Sequence, residues 1–307
     1  MALAFGNMTI VRGSEARVMA CPQCAGNRIA AVHIKDRIPV LRCAGCRLVF
    51  AGDIPDDEEI ERRYADYYSE RNTTISDVTR KRYVELLRSF QTYSTCNRIL
   101  DVGCGCGFFL AAALQAGWYA YGTEVSRSAA YYAEKIGVAA GRIFVGDVLA
   151  AGFELGSFDV VTMFEVIEHL RDPAGVLRVV WRLLRDGGLL YLTTPNYDSL
   201  SRYLLGSSWR IILPREHLFY FTAASLGPLL RMSGYEVRSC RTTGLDYHAI
   251  LNHWVFRREG SSWAAVQEAR ERIESSGALR MLKRCADNVL SLVRLGDTIK
   301  IFAEKRG

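Results

Sequence analysis

The run Arg98-Ile-Leu-Asp101-Val102-Gly103-Cys104-Gly105-Cys106-Gly107-Phe108-Phe109-Leu110 limits what this chain can fold into more than any other stretch. A short apolar segment leads into three alternate glycines, and an Ala-rich segment follows as far as Gly117. That order reads as buried strand, tight turn and helix. Glycine lets the backbone swing sharply and come close to a ligand, while the first amides of the helix face it. A dinucleotide site would carry Gly or Ala at position 108 to complete G-x-G-x-x-G, and Phe108 stands there instead.

Two further strands continue the pattern. Tyr119 to Thr123 closes on Glu124, about 20 residues past the glycine turn, and Ile143 to Val145 closes on Gly146-Asp147-Val148. Glycine turn, acid and Gly-Asp thus arrive in order at the ends of successive strands. The spacing Asp101-x-Gly103-x-Gly105-x-Gly107 resembles the first motif of class I S-adenosylmethionine (SAM)-dependent methyltransferases. The resemblance implies an α/β fold: a Rossmann-like sheet of seven strands, the last pair antiparallel, with helices on both faces. It also implies a cofactor site of Asp101, Gly103, Gly105, Gly107, Glu124, Asp147, Val148 and Phe164. There the methionine part of SAM lies against the glycines, Glu124 accepts from the ribose hydroxyls and Asp147 lies near the adenine amine; Asp147 as a plain turn cap is the alternative.

The resemblance runs from about Glu58 to Lys305. Ser157 to Val161 opens a fourth strand, Leu184 to Gly188 gives a turn, and Leu189 to Thr193 a fifth strand. Gly234 to Val237 and Asp297 to Phe302 look like the closing antiparallel pair. The expected domains are therefore 1–54, 55–96 (a helical bridge) and 97–307, the last with a long helical insert at 243–295.

Ahead of this, Cys21-Pro-Gln-Cys24 and Cys43-Ala-Gly-Cys46 form two C-x-x-C pairs. That spacing suits two knuckles placing four thiolates tetrahedrally around zinc, with Ile29 to Val40 as a hairpin between them. Four thiolates fill the shell and leave no open position, so a zinc ribbon here is structural.

Phe164-Glu165-Val166-Ile167-Glu168-His169-Leu170 follows the fourth strand, where open α/β sheets bind ligands. If the chain turns helical, Glu165, Glu168 and His169 share one face at i, i+3 and i+4. His217, after the fifth strand, could join them. Glu-x-x-Glu-His with a distant His resembles ubiquinone-pathway O-methyltransferases and small-RNA 3′-terminal 2′-O-methyltransferases. It implies a divalent ion, Mg2+ or Mn2+, gripping adjacent hydroxyls. His169 as a metal-free general base, and a purely structural role for Glu168 and His169, stand beside that reading.

Specificity has three candidate seats: the bridge with Tyr64, Tyr67 and Tyr68; the loop from Asn196 to Phe221 with Tyr197, Trp209, Arg210, Arg215 and Tyr220; and the insert. In the insert Leu279, Leu282, Ala286, Val289, Leu290 and Val293 recur at helical spacing, while Arg280, Lys283 and Arg284 lie mostly off that stripe. Packing against the core is the default for such a helix; dimerisation or peripheral membrane contact is the alternative. A formal charge of +6 without a block of like charges argues little for nucleic acid. The longest apolar runs fall far short of the roughly 20 residues a membrane span needs. Met1 to Ile10 does not read as a secretory signal, and Cys96, Cys104, Cys106, Cys240 and Cys285 show no framework spacing, so a reducing, cytoplasmic setting is expected. Together these features point to methyl transfer to a small-molecule acceptor: a sugar, quinone-like ring or natural-product hydroxyl. The alternatives are RNA 2′-O-methylation with the ribbon as docking module, C-methylation of a nucleotide-linked sugar, as in zinc-ribbon sugar methyltransferases, and a non-catalytic cofactor-binding protein.

Overall fold

The computed structural model describes residues 20–55, 59, 75–254 and 277–306. The N-terminal unit is a hairpin of β1 (Ile29–Lys35) and β2 (Ile38–Cys43), followed by β3 (Val49–Ala51). Asp36 and Arg37 turn the hairpin at φ 52° and 65°, the double left-handed geometry that matches the twist of paired strands. The sheet does not end within the unit. Its fourth strand, β9 (Phe219–Tyr220), belongs to the loop carrying His217, with Val49 opposite Tyr220 and Phe50 opposite Phe219.

Helix α1 (Asp77–Phe90), capped by Ser76, buries Leu87 and Phe90 against the larger domain. The part of the expected helical bridge that carries Tyr64, Tyr67 and Tyr68 lies outside the described residues. Then come β4 (Arg98–Val102), α2 (Phe108–Gln115), β5 (Tyr119–Glu124), α3 (Arg127–Lys135), β6 (Ile143–Val145), β7 (Phe158–Phe164), α4 (Pro173–Leu183) and β8 (Leu184–Pro195). After α5 (Leu200–Leu205) and β9, the chain forms α6 (Ala223–Met232) and β10 (Tyr235–Thr243). The insert contributes α7 (Tyr247–Trp254) and α8 (Gly277–Leu292) before β11 (Thr298–Lys305).

Seven strands form one sheet in the order β10-β11-β8-β7-β4-β5-β6. β4 to β8 pair in parallel, and β11 enters antiparallel between β8 and β10. This is the Rossmann-like sheet that the glycine motif implied. The chain reverses direction across the sheet between β4 and β7, so their carboxyl ends open the crevice where such sheets bind ligands. Asp159 fixes the opposite end: wholly buried, it accepts from the amides of Thr95, Cys96 and Arg98 and from Arg185 Nε at 2.6 Å.

Each face of the sheet has its own core. Leu100, Val161, Leu190, Leu192 and Ile301 pack with Leu48 and Phe50 of the N-terminal unit. Ile99, Val160, Leu189 and Tyr191 pack with Leu87, Phe90, Phe109 and Leu110. Two expectations need correction. The segment Leu184 to Gly188 is the first part of β8 rather than a free turn, bent at Gly187 where φ is 70°. The apolar stripe of α8 does not cover the core: Leu282, Val289 and Val293 are 66%, 62% and 51% exposed, and Leu290 alone of those four turns inward. No described helix is long and apolar enough to cross a membrane.

Candidate active site

At the end of β4, Gly103, Gly105 and Gly107 all take positive φ, 69°, 53° and 73°. A Cβ on Gly103 would stand 2.6 Å from Val166 Cγ2, and one on Gly107 2.6 Å from Ala133 Cβ. Gly103 and Gly107 therefore exclude side chains by backbone conformation and by space, and Gly105 by conformation. Glu124, buried at the end of β5, ties the turn down: Oε2 accepts from the Gly105 amide and Oε1 from the Ser126 amide, both at 2.8 Å. Each oxygen keeps a lone pair for a further donor. Burial holds the Glu124 carboxyl above its ordinary value. Asp101 is buried and accepts from Thr162 Oγ1 at 2.7 Å; burial pushes its carboxyl up to about 7, against the Thr162 bond and with Glu124 adding to it.

Asp147 is exposed and caps the short turn at Val148–Ala150 by accepting from the Leu149 amide at 2.8 Å, while Val148 is buried in the core. Phe164 stands at the end of β7 against Phe109 and Tyr83, with ring centroids 4.9 and 5.9 Å away.

Beyond β7 the chain does not turn α-helical. Glu165 takes φ 52°, Val166 follows at φ −120°, and only Ile167–His169 form a single tight turn. The four candidate ligands consequently part company. β8 alternates, so Thr193 and Thr194 face opposite sides of the sheet. Thr194 Oγ1 donates to Glu168 Oε2 at 2.9 Å on the side of the N-terminal unit. On the other side Thr193 bonds the exposed Glu165, with Lys300 of β11 nearby.

Glu168, His169 and His217 do come together. Their ligand atoms lie within 4.8 Å of one another, and the two imidazole rings meet edge to face at 4.7 Å. His169 Nδ1 is 2.9 Å from the Glu216 carbonyl and His217 Nδ1 2.8 Å from the Ile211 carbonyl. A carbonyl only accepts, so both Nδ1 atoms carry the proton and both Nε2 atoms keep a lone pair. Glu168 is 1% exposed, and its Oε1, 4.0 Å from His169 Nε2, is buried without a hydrogen bond. Burial, with His217 adding to it, lowers His169 to about 4; burial lowers His217 too and raises Glu168, to which Glu165 adds. The result is a buried, convergent set of one carboxylate oxygen and two unprotonated nitrogens.

The four N-terminal cysteines also converge, with Sγ atoms within 4.8 Å of one another, Cys21 to Cys46 at 3.4 Å and Cys24 to Cys43 at 3.6 Å. Tetrahedral Zn–S bonds of about 2.3 Å put sulfurs roughly 3.8 Å apart, close to this spacing. In the loop after β8, Tyr197, Trp209 and Tyr220 are buried in a small core with Val40 and Val49, so packing claims them; Arg210 pairs with Asp246 at 3.3 Å and Arg215 is exposed. Motif reading missed Thr162, Thr193 and Thr194, which orient the three acids. For Thr193 and Thr194 the signal was the threonine pair closing the otherwise apolar run Leu189-Leu-Tyr-Leu192, and for Thr162 the single polar residue inside the apolar stretch Val160 to Phe164.

A family model described as a methyltransferase domain matches residues 59–240, more than half of the 307 residues. Among curated relatives, a ubiquinone biosynthesis O-methyltransferase of Pseudomonas aeruginosa is 32% identical over 186 residues, 57% of this chain and 78% of that one. Its namesake from Ralstonia nicotianae is 30% identical over 174 residues, 53% and 72% of the two chains. Among solved structures, phosphoethanolamine N-methyltransferase 2 of Haemonchus contortus in complex with SAM gives a TM-score of 0.55 at 17% identity, covering 84% of this chain and 62% of that one. A SAM-dependent methyltransferase from Thermotoga maritima gives 0.50 at 18%, covering 81% and 99%. At such identities the structural likeness speaks for the fold alone. Fold and family together define an enzyme class: the chain belongs to the SAM-dependent methyltransferases of Rossmann-like, class I architecture.

Proposed function

We propose that this enzyme moves the sulfonium methyl of SAM to a hydroxyl of a small-molecule acceptor held at Glu168, His169 and His217. The glycine turn, Asp101, Glu124, Asp147, Val148 and Phe164 would hold the cofactor, and Cys21, Cys24, Cys43 and Cys46 a structural zinc ion. The curated relatives are named as O-methyltransferases of a biosynthetic pathway, which favours oxygen and a small acceptor over carbon or RNA.

The carrying observation is the unsatisfied, buried Glu168 Oε1 facing two imidazoles whose protons are committed elsewhere. A buried carboxyl oxygen without a partner is relieved either by a proton, as the raised pKa of Glu168 reflects, or by a cation, and the two unprotonated imidazole nitrogens beside it suit the cation. One carboxylate and two imidazoles suit a divalent ion such as Mn2+, Mg2+ or Zn2+. When bound, such an ion would lower the pKa of a coordinated hydroxyl. The residues themselves do the positioning: the Glu216 and Ile211 carbonyls fix both rings, and Thr194 fixes the carboxylate. Both Nε2 atoms are unprotonated and converge with a Glu168 oxygen within 4.8 Å, which favours the ion over the metal-free reading. In-line alignment of acceptor oxygen, methyl and sulfur then supplies much of the rate.

Equilibrium dialysis with Mn2+ tests the reading. Wild type and Glu165→Gln should take up the ion, whereas Glu168→Gln and His217→Ala should lose at least tenfold in affinity. Equal uptake by all four proteins would refute the ligand assignment.

A further inference from the structure

The N-terminal unit and the catalytic domain meet in one strand pair, and that pair lies beside the Glu168, His169 and His217 set. Only Arg47 and Leu48 separate Cys46 from β3, and only Leu218 separates His217 from β9. Leu218 is the joint, and it is 1% exposed. Its carbonyl accepts from the Ala51 amide at 2.9 Å, and its amide donates to the Glu168 carbonyl at 2.8 Å. One buried residue thus ties the last residue of β3 to the turn that carries Glu168 and His169.

Packing repeats the tie on both faces of β9. Strand alternation sends Phe219 and Phe221 into the main core with Leu48 and Phe50, and Tyr220 into the smaller core with Val40 and Val49. The loop that carries His217 therefore rests on side chains of the N-terminal unit at both faces of its strand. Gln23 of the first knuckle adds a link beyond β9, its Nε2 donating to the Ser225 carbonyl of α6 at 3.2 Å.

The cofactor turn is tied down differently. The amides of Gly103 and Cys104 donate to the Thr123 carbonyl and that of Gly105 to Glu124, all within the catalytic domain. Breaking the joint at Leu218 should accordingly reach the acceptor site and spare the cofactor site. We propose that β3 is a positioning strand for the acceptor site: the Ala51 amide and the side chains packed on β9 set where His217 stands against Glu168 and His169. This rests on the acceptor reading given above. Four-thiolate ribbons fold with their metal, so the state of the knuckles would be felt at His217 and not at the glycine turn.

The test is Ala51→Pro in the full chain, which removes the donor to Leu218. Amide hydrogen exchange read residue by residue reports the joint without any metal. In the variant the Leu218 amide should exchange at least tenfold faster than in wild type, and Mn2+ uptake should weaken at least tenfold. Exchange of the Gly105 amide and S-adenosylhomocysteine affinity should stay at wild-type values. Phe50→Ala, which thins the same seam and leaves every amide in place, should shift Leu218 exchange and Mn2+ uptake in the same direction by less. Leu87→Ala removes an equally buried side chain from the opposite core and should leave Mn2+ uptake unchanged, which separates positioning from loss of stability. Wild-type exchange at Leu218 in a folded Ala51→Pro or Phe50→Ala would overturn the proposal. Faster exchange with undiminished Mn2+ uptake, joint loss of S-adenosylhomocysteine binding, or weakened Mn2+ uptake in Leu87→Ala would overturn it equally. Absence of Mn2+ uptake by wild type would strike the acceptor reading instead, and the exchange rates would still decide whether β3 holds the joint.

Discussion

Gly103 is where the cofactor turn and the candidate acceptor site press on each other, and Gly103→Ala measures how hard. The new methyl would have to share space with Val166 Cγ2 at 2.6 Å, on a backbone at φ 69°. A left-handed alanine costs about 1–2 kcal/mol. Overpacking by one methyl adds about 1–3 kcal/mol, so Gly103→Ala should lose roughly 2–5 kcal/mol in urea denaturation. Val166→Ala alone removes two half-buried methyls, for about 1 kcal/mol. In the double variant the clash disappears and only the backbone cost and the lost methyls remain, about 2–3 kcal/mol. The cycle should therefore show the second substitution rescuing the first, with a coupling of about 1–3 kcal/mol. Strict additivity, with the double variant weaker than Gly103→Ala by the full Val166→Ala cost, would show that Val166 does not confine the turn.

Cys43→Ser should release the zinc that a chromogenic chelator detects in wild type and lower the melting temperature; because β3 pairs with β9, turnover should fall as well, and full zinc retention would contradict the four-thiolate assignment. Two buried acids should give opposite pH limbs. Burial pushes the Asp159 carboxyl up, but Arg185 and the amides of Cys96 and Arg98 more than offset it and hold it low in the fold. Its contribution is present above the unfolded value of about 3.9 and is lost as pH falls through the lower folded value, so Asp159→Asn should flatten the acid limb of a stability curve. Asp101, raised to about 7, binds its proton more tightly in the fold. Stability should consequently fall as pH rises from about 4 to about 7, and Asp101→Asn should remove that slope; an unaltered slope in the variant would rule Asp101 out as its source.

Much of the fold was legible because its signals are local. The three glycines at positive φ, the acids closing β4 and β5, and the two C-x-x-C pairs are each fixed by a few neighbouring residues. The candidate site was harder. Helical spacing placed Glu165 with Glu168 and His169, but a left-handed residue after β7 is chosen by packing, not by propensity, and it turns Glu165 away. The pairing of β3 with β9 joins residues far apart in sequence, which no periodicity encodes. The stripe on α8 misled for a related reason: helical spacing shows that a face is apolar without showing what lies against it.

The alternation of Thr193 and Thr194 leaves the enzyme little tolerance at the end of β8. Deleting one residue upstream in that strand would carry each hydroxyl to the opposite face of the sheet, away from the carboxylate it now meets. The pleat of this one strand therefore sets which threonine meets Glu165 and which meets Glu168.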